Sequence, residues 1–257
     1  MMQMADRKYL NLLREMTLAQ FKLRDQSTFF GFLWSFLNPL IVVGLLFAVF
    51  SSRLSGDIDH YGLYLLIGIV HYTHFSNATI ASMQVLYSMK TLTRDAIFPK
   101  DVLVLASILT HTIDFVLSML ICVALAIFSG VKLTGAMAAL PFVFALQVTL
   151  ILWVSFLLSG LYIYVRDLAH VYQVFLRLLF FITPIFYGLS FVGGGVAKYL
   201  LLANPLTHSI SFARTLIIKG QLFDMKIFLV LVLSNGCLVY GAYKMFKKLE
   251  PTFAENV

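Results

Sequence analysis

Charge is what this sequence has least of. Only 12% of its 257 residues are Asp, Glu, Lys or Arg, and none occurs between Asp25 and Arg53. With 60% hydrophobic residues and a mean hydropathy of +0.90, so little charge excludes an aqueous globule of this size. Cysteine is nearly missing. Cys122 and Cys237 lie in apolar runs without His, Cys or carboxylate at ligand spacing, so they read as small hydrophobes rather than as a metal site. Catalytic signatures are missing too. No stretch matches G-x-x-x-x-G-K-[ST], so the chain has no loop to cradle a nucleoside triphosphate, and no His-Glu-x-x-His helix occurs. Ser129-Gly130 and Ser159-Gly160 lack the preceding Gly expected of an intramembrane serine nucleophile. Lys8, Arg14 and Lys22 arrive without an early apolar segment or a small-residue cleavage site, so no removable signal peptide is expected.

What the sequence does have is long apolar runs with charged joints, the pattern of a polytopic membrane protein. Lys22 to Phe50 passes from alternating charge (Lys22, Arg24, Asp25) through a ring-rich patch (Phe29, Phe30, Phe32, Trp34, Phe36) and Asn38-Pro39 into continuous hydrophobic sequence. A hydrocarbon core needs about 20 apolar residues, and aromatic and basic side chains favour its borders. The net charge of +7 therefore reads as basic flanks on anionic lipid, with no nucleic acid implied.

Ahead of this run, Tyr9, Leu10, Leu13, Thr17, Leu18 and Phe21 fall largely on one helical face, which predicts an amphipathic interfacial helix within residues 1–28. Residues 29–190 hold five expected spans. The second covers about Tyr61 to Ala81, the third Val102 to Phe128, the fourth Met137 to Tyr164, and the fifth runs from Tyr172 to Leu189 with a kink at Pro184. The joint from Met89 to Asp101 carries Lys90, Arg94, Asp95, Lys100 and Asp101, and Arg166-Asp167 marks a second charged turn. Residues 191–226 are broken at Gly193-Gly194-Gly195 and at Asn204-Pro205 into pieces too short to cross, so two re-entrant helices are expected there. A sixth span, 227–243, precedes a basic tail, 244–257. With the termini inside, 13 of the 19 Lys and Arg fall on the cytoplasmic side, the orientation that the positive-inside rule favours. The expectation is one all-α transmembrane domain of six spans.

Four ordered segments resemble type-2 ABC exporter permeases that move lipid-linked polysaccharides. The entry pattern of that family is roughly R-Y-x-x-[ST]-x-L-G-x-L-W-x-x-L-x-P, which Thr28, Phe30, Gly31, Leu33, Trp34, Leu37 and Pro39 fit. Leu92 to Asp101, LTRDAIFPKD, is similar to its L-I-R-K-x-x-F-P-R-E loop. Val165-Arg166-Asp167 resembles its R-D turn, and Thr183-Pro184-Ile185-Phe186-Tyr187 with Asn204-Pro205-Leu206 resembles its S-P-I-F-Y and N-P-L pair. Asp25 and Asp95 depart from the pattern.

The resemblance implies a permease of the bacterial cytoplasmic (inner) membrane, paired with a second copy of itself and with two copies of a separate ABC ATPase. ATP and Mg would sit in that partner and none in this chain, and the cargo would be a lipid-linked polysaccharide such as O antigen, teichoic acid or capsule. Lys22, Arg24, Arg94, Asp95, Lys100, Asp101, Arg166 and Asp167 are the expected ATPase contacts. Trp34, Tyr72, Phe75, Asp114, Arg177 and Tyr187 are the candidates for the path, since aromatic faces stack on sugar rings without gripping them. Asp114, a carboxylate inside a span that costs about 2.5–3.5 kcal/mol there, is a candidate partner for Arg177. A lipid or drug exporter of the same fold is the alternative. A proton-driven transporter using His71, His74 and Asp114 is the rival from another class, but it would be expected to show internal repeats, which the sequence lacks. A membrane enzyme would need a catalytic constellation that cannot be assembled from this chain.

Overall fold

The computed structural model describes residues 2–25, 33–54, 58–96, 98–132, 134–188 and 195–257, with no strand among them. The entry-motif residues Thr28, Phe30 and Gly31 fall outside the described set, as do Gly193 and Gly194. An all-helical fold is what a chain of apolar runs must adopt in lipid, where every backbone amide has to be satisfied within its own segment.

The helices are α1 (Met2–Asp25), α2 (Trp34–Leu54), α3 (Tyr61–Ser88), α4 (Lys90–Asp95), α5 (Asp101–Phe128), α6 (Leu140–Tyr162), α7 (Leu168–Ile182), α8 (Val196–Ala203), α9 (Pro205–Arg214), α10 (Met225–Leu249) and α11 (Phe253–Asn256). Among the described residues, four helical stretches, Trp34–Arg53, Asp101–Phe128, Gly135–Tyr162 and Met225–Asn256, are long and apolar enough to cross a bilayer.

Helix α3 is the axis, packed by α2, α5, α6, α7 and α9. Most of it is buried, from Tyr61 and Leu65 to Val85 and Leu86, and His71 and His74 are buried with it, whereas Ser76 is half-buried and Asn77 exposed. Its polar groups act as ties. Gln147 Nε2 of α6 donates to the His71 carbonyl at 3.1 Å, Tyr172 of α7 donates to Thr79 at 2.7 Å, and Tyr72 donates to the Leu176 carbonyl at 2.7 Å. Interhelical bonds of this kind average about 0.6 kcal/mol in a bilayer.

Several boundaries differ from the sequence reading. Helix α3 continues past Ala81 to Ser88, and α10 runs past Tyr243 to Leu249, so Lys244, Lys247 and Lys248 stand on the helix rather than on a tail. Pro184 does not kink the fifth element. Helix α7 has already ended at Ile182, Thr183 is extended, and Pro184 opens a turn, because a residue preceding proline is pushed out of helical geometry. At 15 residues α7 is short for a crossing, yet it faces α3 over much of its length. Arg166 before it donates to Tyr87 at 3.0 Å, and the Pro184 carbonyl after it takes a bond from Arg214, which also binds Tyr64.

Two short helices do lie where the 191–226 segment was expected to supply them. Asn204 caps α9 by accepting from the Leu206 amide at 3.0 Å, with Pro205 at the first helical position, a residue order that starts a helix rather than merely breaking one. A π-helical turn, Thr215–Lys219, continues α9 to Gly220.

On α1 the face turned to the protein is Tyr9, Leu12, Leu13, Met16, Thr17, Gln20 and Phe21. Leu10 and Leu18, predicted for that face, are exposed and line an apolar groove of about 580 Å³ along α5 with Leu109, Ile113 and Val116. Both terminal segments meet at one end of the bundle, where α1, α5 and α10 are tied together. The opposite end is built from Tyr61, Tyr64, the turn after α7, and α9. The length of α3 sets their separation at about 40 Å.

Candidate functional site

At middle depth, the start of α2 and the facing turns of α3 and α5 line a polar cleft. Two neighbouring cavities of about 40 and about 190 Å³ share Ser35, Thr73, Asn77, His111 and Asp114, and Trp34 and Asn38 complete the larger one. Asp114 is 14% exposed and lies 3.9 Å from His111 Nδ1, one turn back on the same helix. His74 Nε2 lies 3.3 Å from Thr112 Oγ1, with its ring stacked on Phe115 at 4.3 Å. One carboxylate among imidazole, amide and hydroxyl groups makes a wet wall that can exchange hydrogen bonds with water or sugar hydroxyls. No cluster of His, Cys, Asp and Glu among the described residues is placed to hold a metal ion.

Of the six candidate path residues, only Trp34 and Asp114 line this cleft. Phe75 is a core residue, 4% exposed. Tyr72 is spent on Leu176, with its ring edge-on to Phe180 at 5.1 Å. Tyr187 donates to the Phe181 carbonyl at 2.9 Å, and its own carbonyl accepts from Tyr64 at 2.9 Å. Arg177 is exposed on the outer face of α7 beside Val174, Phe175, Leu178 and Phe181. Asp114 lies beside His111, and among the described residues no ion pair joins it to Arg177. His71 and His74 both pack on Phe115, and no hydrogen bond joins the two imidazoles to each other.

The eight candidate contact residues divide as well. Arg94, Asp95, Arg166 and Asp167 are exposed at the end of the bundle that holds the termini. Arg94 pairs with Asp95 at 2.9 Å, and Arg166 covers the Tyr87 ring at 4.2 Å. Lys22 is exposed near the end of α1, whereas the Arg24 side chain is outside the described set. Lys100 and Asp101 are turned inward.

Asp101, 3% exposed, accepts from Tyr9 at 2.8 Å and from Lys247 at 2.9 Å, and Tyr243 stands at 3.4 Å. Lys247 also holds Glu250 at 2.8 Å, and Glu250 caps the Lys100 amide at 2.6 Å. The Lys100 ammonium donates to the carbonyls of Ala96 and Leu92 at 2.6 and 3.2 Å. Burial, and then the bond to Asp101, raises the pKa of Tyr9. Burial pulls Lys100 down against the pull of Glu250. This knot ties α1, α4, α5 and α10 together at one end of the bundle.

A model of the ABC-2 type transporter family matches residues 11–218. The chain belongs to that family. It is therefore a transporter permease, and its long apolar helices are those of a membrane protein. Over 251 residues it is 26% identical to the O-antigen export system permease protein RfbA of Myxococcus xanthus, covering 97% of this chain and 96% of the relative. A Klebsiella pneumoniae protein of the same name is 24% identical over 246 residues, 95% and 94% of the two chains.

Sequence reasoning missed one residue of this permease. Arg214, one of the six Lys and Arg that the orientation count leaves on the outer side, is 7% exposed and binds three carbonyls from two other elements. The signal was present in SISFARTLII, where a single arginine interrupts an otherwise uncharged run.

Proposed function

We propose that this permease is the transmembrane half of an ATP-driven exporter that carries a lipid-linked cell-surface polysaccharide outward across the bacterial cytoplasmic membrane. The observation that carries the reading is likeness to O-antigen export permeases over nearly the whole of both chains, together with the family match. In this reading α2, α3, α5, α6, α7 and α10 make six crossings, with α8 and α9 dipping into the outer face. The chain termini, Arg94, Asp95, Arg166 and Asp167 face the cytoplasm, where the positive-inside count places them. Two ATPase copies dock on that end and supply the nucleotide and magnesium chemistry; the knot at Asp101 transmits their stroke.

The path runs between two copies of the chain. Its supports are the exposure of Phe175 and Phe181 at 50% and 65% and the exposed Arg177 beside them on α7. The test is co-purification of the permease with the ABC ATPase encoded beside it, followed by ATP turnover with lipid-linked glycans of different composition. Stimulation by a lipid-linked glycan, and loss of association on Arg94→Glu, support the reading. Stable association that Arg94→Glu and Arg166→Glu both leave intact contradicts the assigned docking face.

A further inference from the structure

We propose that the cavity between the start of α3, the turn after α7, and α9 binds the phosphate of a lipid at the end of the bundle opposite the chain termini. The cavity measures about 420 Å³, and its polar lining is Asp59, Tyr64, Thr207, Ser211, Arg214 and Lys219, with Thr215 beside them. Three observations point to an oxygen-rich anion.

The first is the charge of Arg214. Its Nε and Nη2 donate to the Tyr64 carbonyl at 3.1 and 2.9 Å, Nη1 to Pro184 at 2.7 Å, and Nη2 to Ile185 at 2.7 Å, while the guanidinium lies 3.3 Å over the Tyr64 ring. Four of the five N–H groups of a guanidinium are used, all on neutral oxygens, and no carboxylate pairs with it among the described residues. The carbonyls fix its orientation and leave its charge on the cavity wall.

The second is Thr207, which is 1% exposed, lines the same cavity, and has a hydroxyl without a hydrogen-bond partner among the described residues. A buried hydroxyl left unpaired costs about 1–3 kcal/mol, a cost that a bound oxyanion removes. The third is charge balance. Lys219 at the mouth adds a second cation and Asp59 one anion, so the lining stays net positive. In a membrane protein the abundant anion with several oxygens and an apolar tail is a phosphate ester carried on a lipid. The binding site stands on these side chains alone. Its identification with the carrier of an exported glycan rests on the export reading.

The test uses the full chain in a phosphate-free maltoside detergent, with native mass spectrometry and thermal unfolding as readouts. The added probes are dioctanoyl phosphatidic acid, a polyprenyl diphosphate, inorganic phosphate, and dioctanoylglycerol as the phosphate-free lipid. At least one of the two phosphorylated lipids is expected to bind and raise the Tm, with dioctanoylglycerol inert and inorganic phosphate weaker. Thr207→Val and Lys219→Ala are each expected to weaken binding about tenfold, and unliganded Thr207→Val should unfold no earlier than the parent, since it deletes a group with no partner. Preference for the diphosphate assigns the site to a polyprenyl carrier, and preference for phosphatidic acid to a bilayer lipid. Equal binding by both variants and the parent, equal binding of dioctanoylglycerol, or inorganic phosphate binding as tightly as the lipids overturns the proposal. No ATPase enters the assay, so this result and the outcome of the export test can fail separately.

Discussion

A single missing methyl group at Gly68 sets how closely α9 approaches α3. A Cβ built there would lie 2.5 Å from Arg214 Nη2 and 3.3 Å from the Ile185 carbonyl oxygen, and the guanidinium cannot swing away without leaving its three carbonyls. Gly68→Ala is expected to lose about 1–3 kcal/mol of stability, read by thermal unfolding in detergent. Gly44→Ala, with nothing within 4 Å, should be neutral or gain up to about 1 kcal/mol from helix propensity. At Asp101 the expected loss comes from stranding a buried carboxylate. Lys247→Met should cost about 2 kcal/mol. Burial alone would lower the pKa of Lys247, but Glu250 and Asp101 outweigh it and hold it above the ordinary lysine value. A raised pKa places its stabilisation in full below the unfolded-state value of about 10.4 and removes it as pH climbs through the folded one. The Tm gap between parent and Lys247→Met should therefore stay constant from about pH 6 to about pH 9 and narrow only in stronger alkali. The charged character of LTRDAIFPKD was legible in the sequence. Which of its charges turn inward was not, because Asp101 meets a lysine 146 residues away, and no local pattern encodes that pairing.

Among the elements, α6 and α10 are joined by one polar clasp in an apolar seam. Trp153 Nε1 donates to Asn235 Oδ1 at 2.9 Å, and Asn235 is 2% exposed. Asn235→Leu leaves the indole N–H without an acceptor, so a loss of about 1–2 kcal/mol is expected. Cysteine cross-linking between α6 and α10 should show the same pair loosened. The long apolar runs of α2, α5, α6 and α10 were readable because hydropathy alone marks them. Helix α3 was readable as a span, but its place at the centre of the bundle was not, because that depends on contacts with α2, α5, α6 and α9 that no local pattern encodes. The end of α7 at Ile182 was not, since Pro184 inside an apolar run is consistent with either a kink or a stop, and the extended Thr183 and the carbonyls held by Arg214 decide it. On α1 the periodicity was right while the face was turned by about one residue. Leu10 and Leu18 are equally apolar on either reading, and only the position of α5 distinguishes them.

For the whole molecule, one bundle carries the exposed Arg94, Asp95, Arg166 and Asp167 at the end that holds both termini and a net-positive cavity about 40 Å away at the other. On the export reading proposed above, the work of transport is delivered from outside the chain, through the Tyr9, Asp101 and Lys247 knot. Tyr9→Phe is expected to keep the bundle folded while reducing ATP-driven transport in the assembled complex more than ATP hydrolysis, as comparison of the two rates in one preparation would show. The most direct measurement is transport of a fluorescent lipid-linked glycan in vesicles holding the permease alone, its ATPase alone, or both. Movement that requires both proteins and ATP is the predicted result. Cargo carried by the permease alone, whether on ATP or on an ion gradient, would contradict the account.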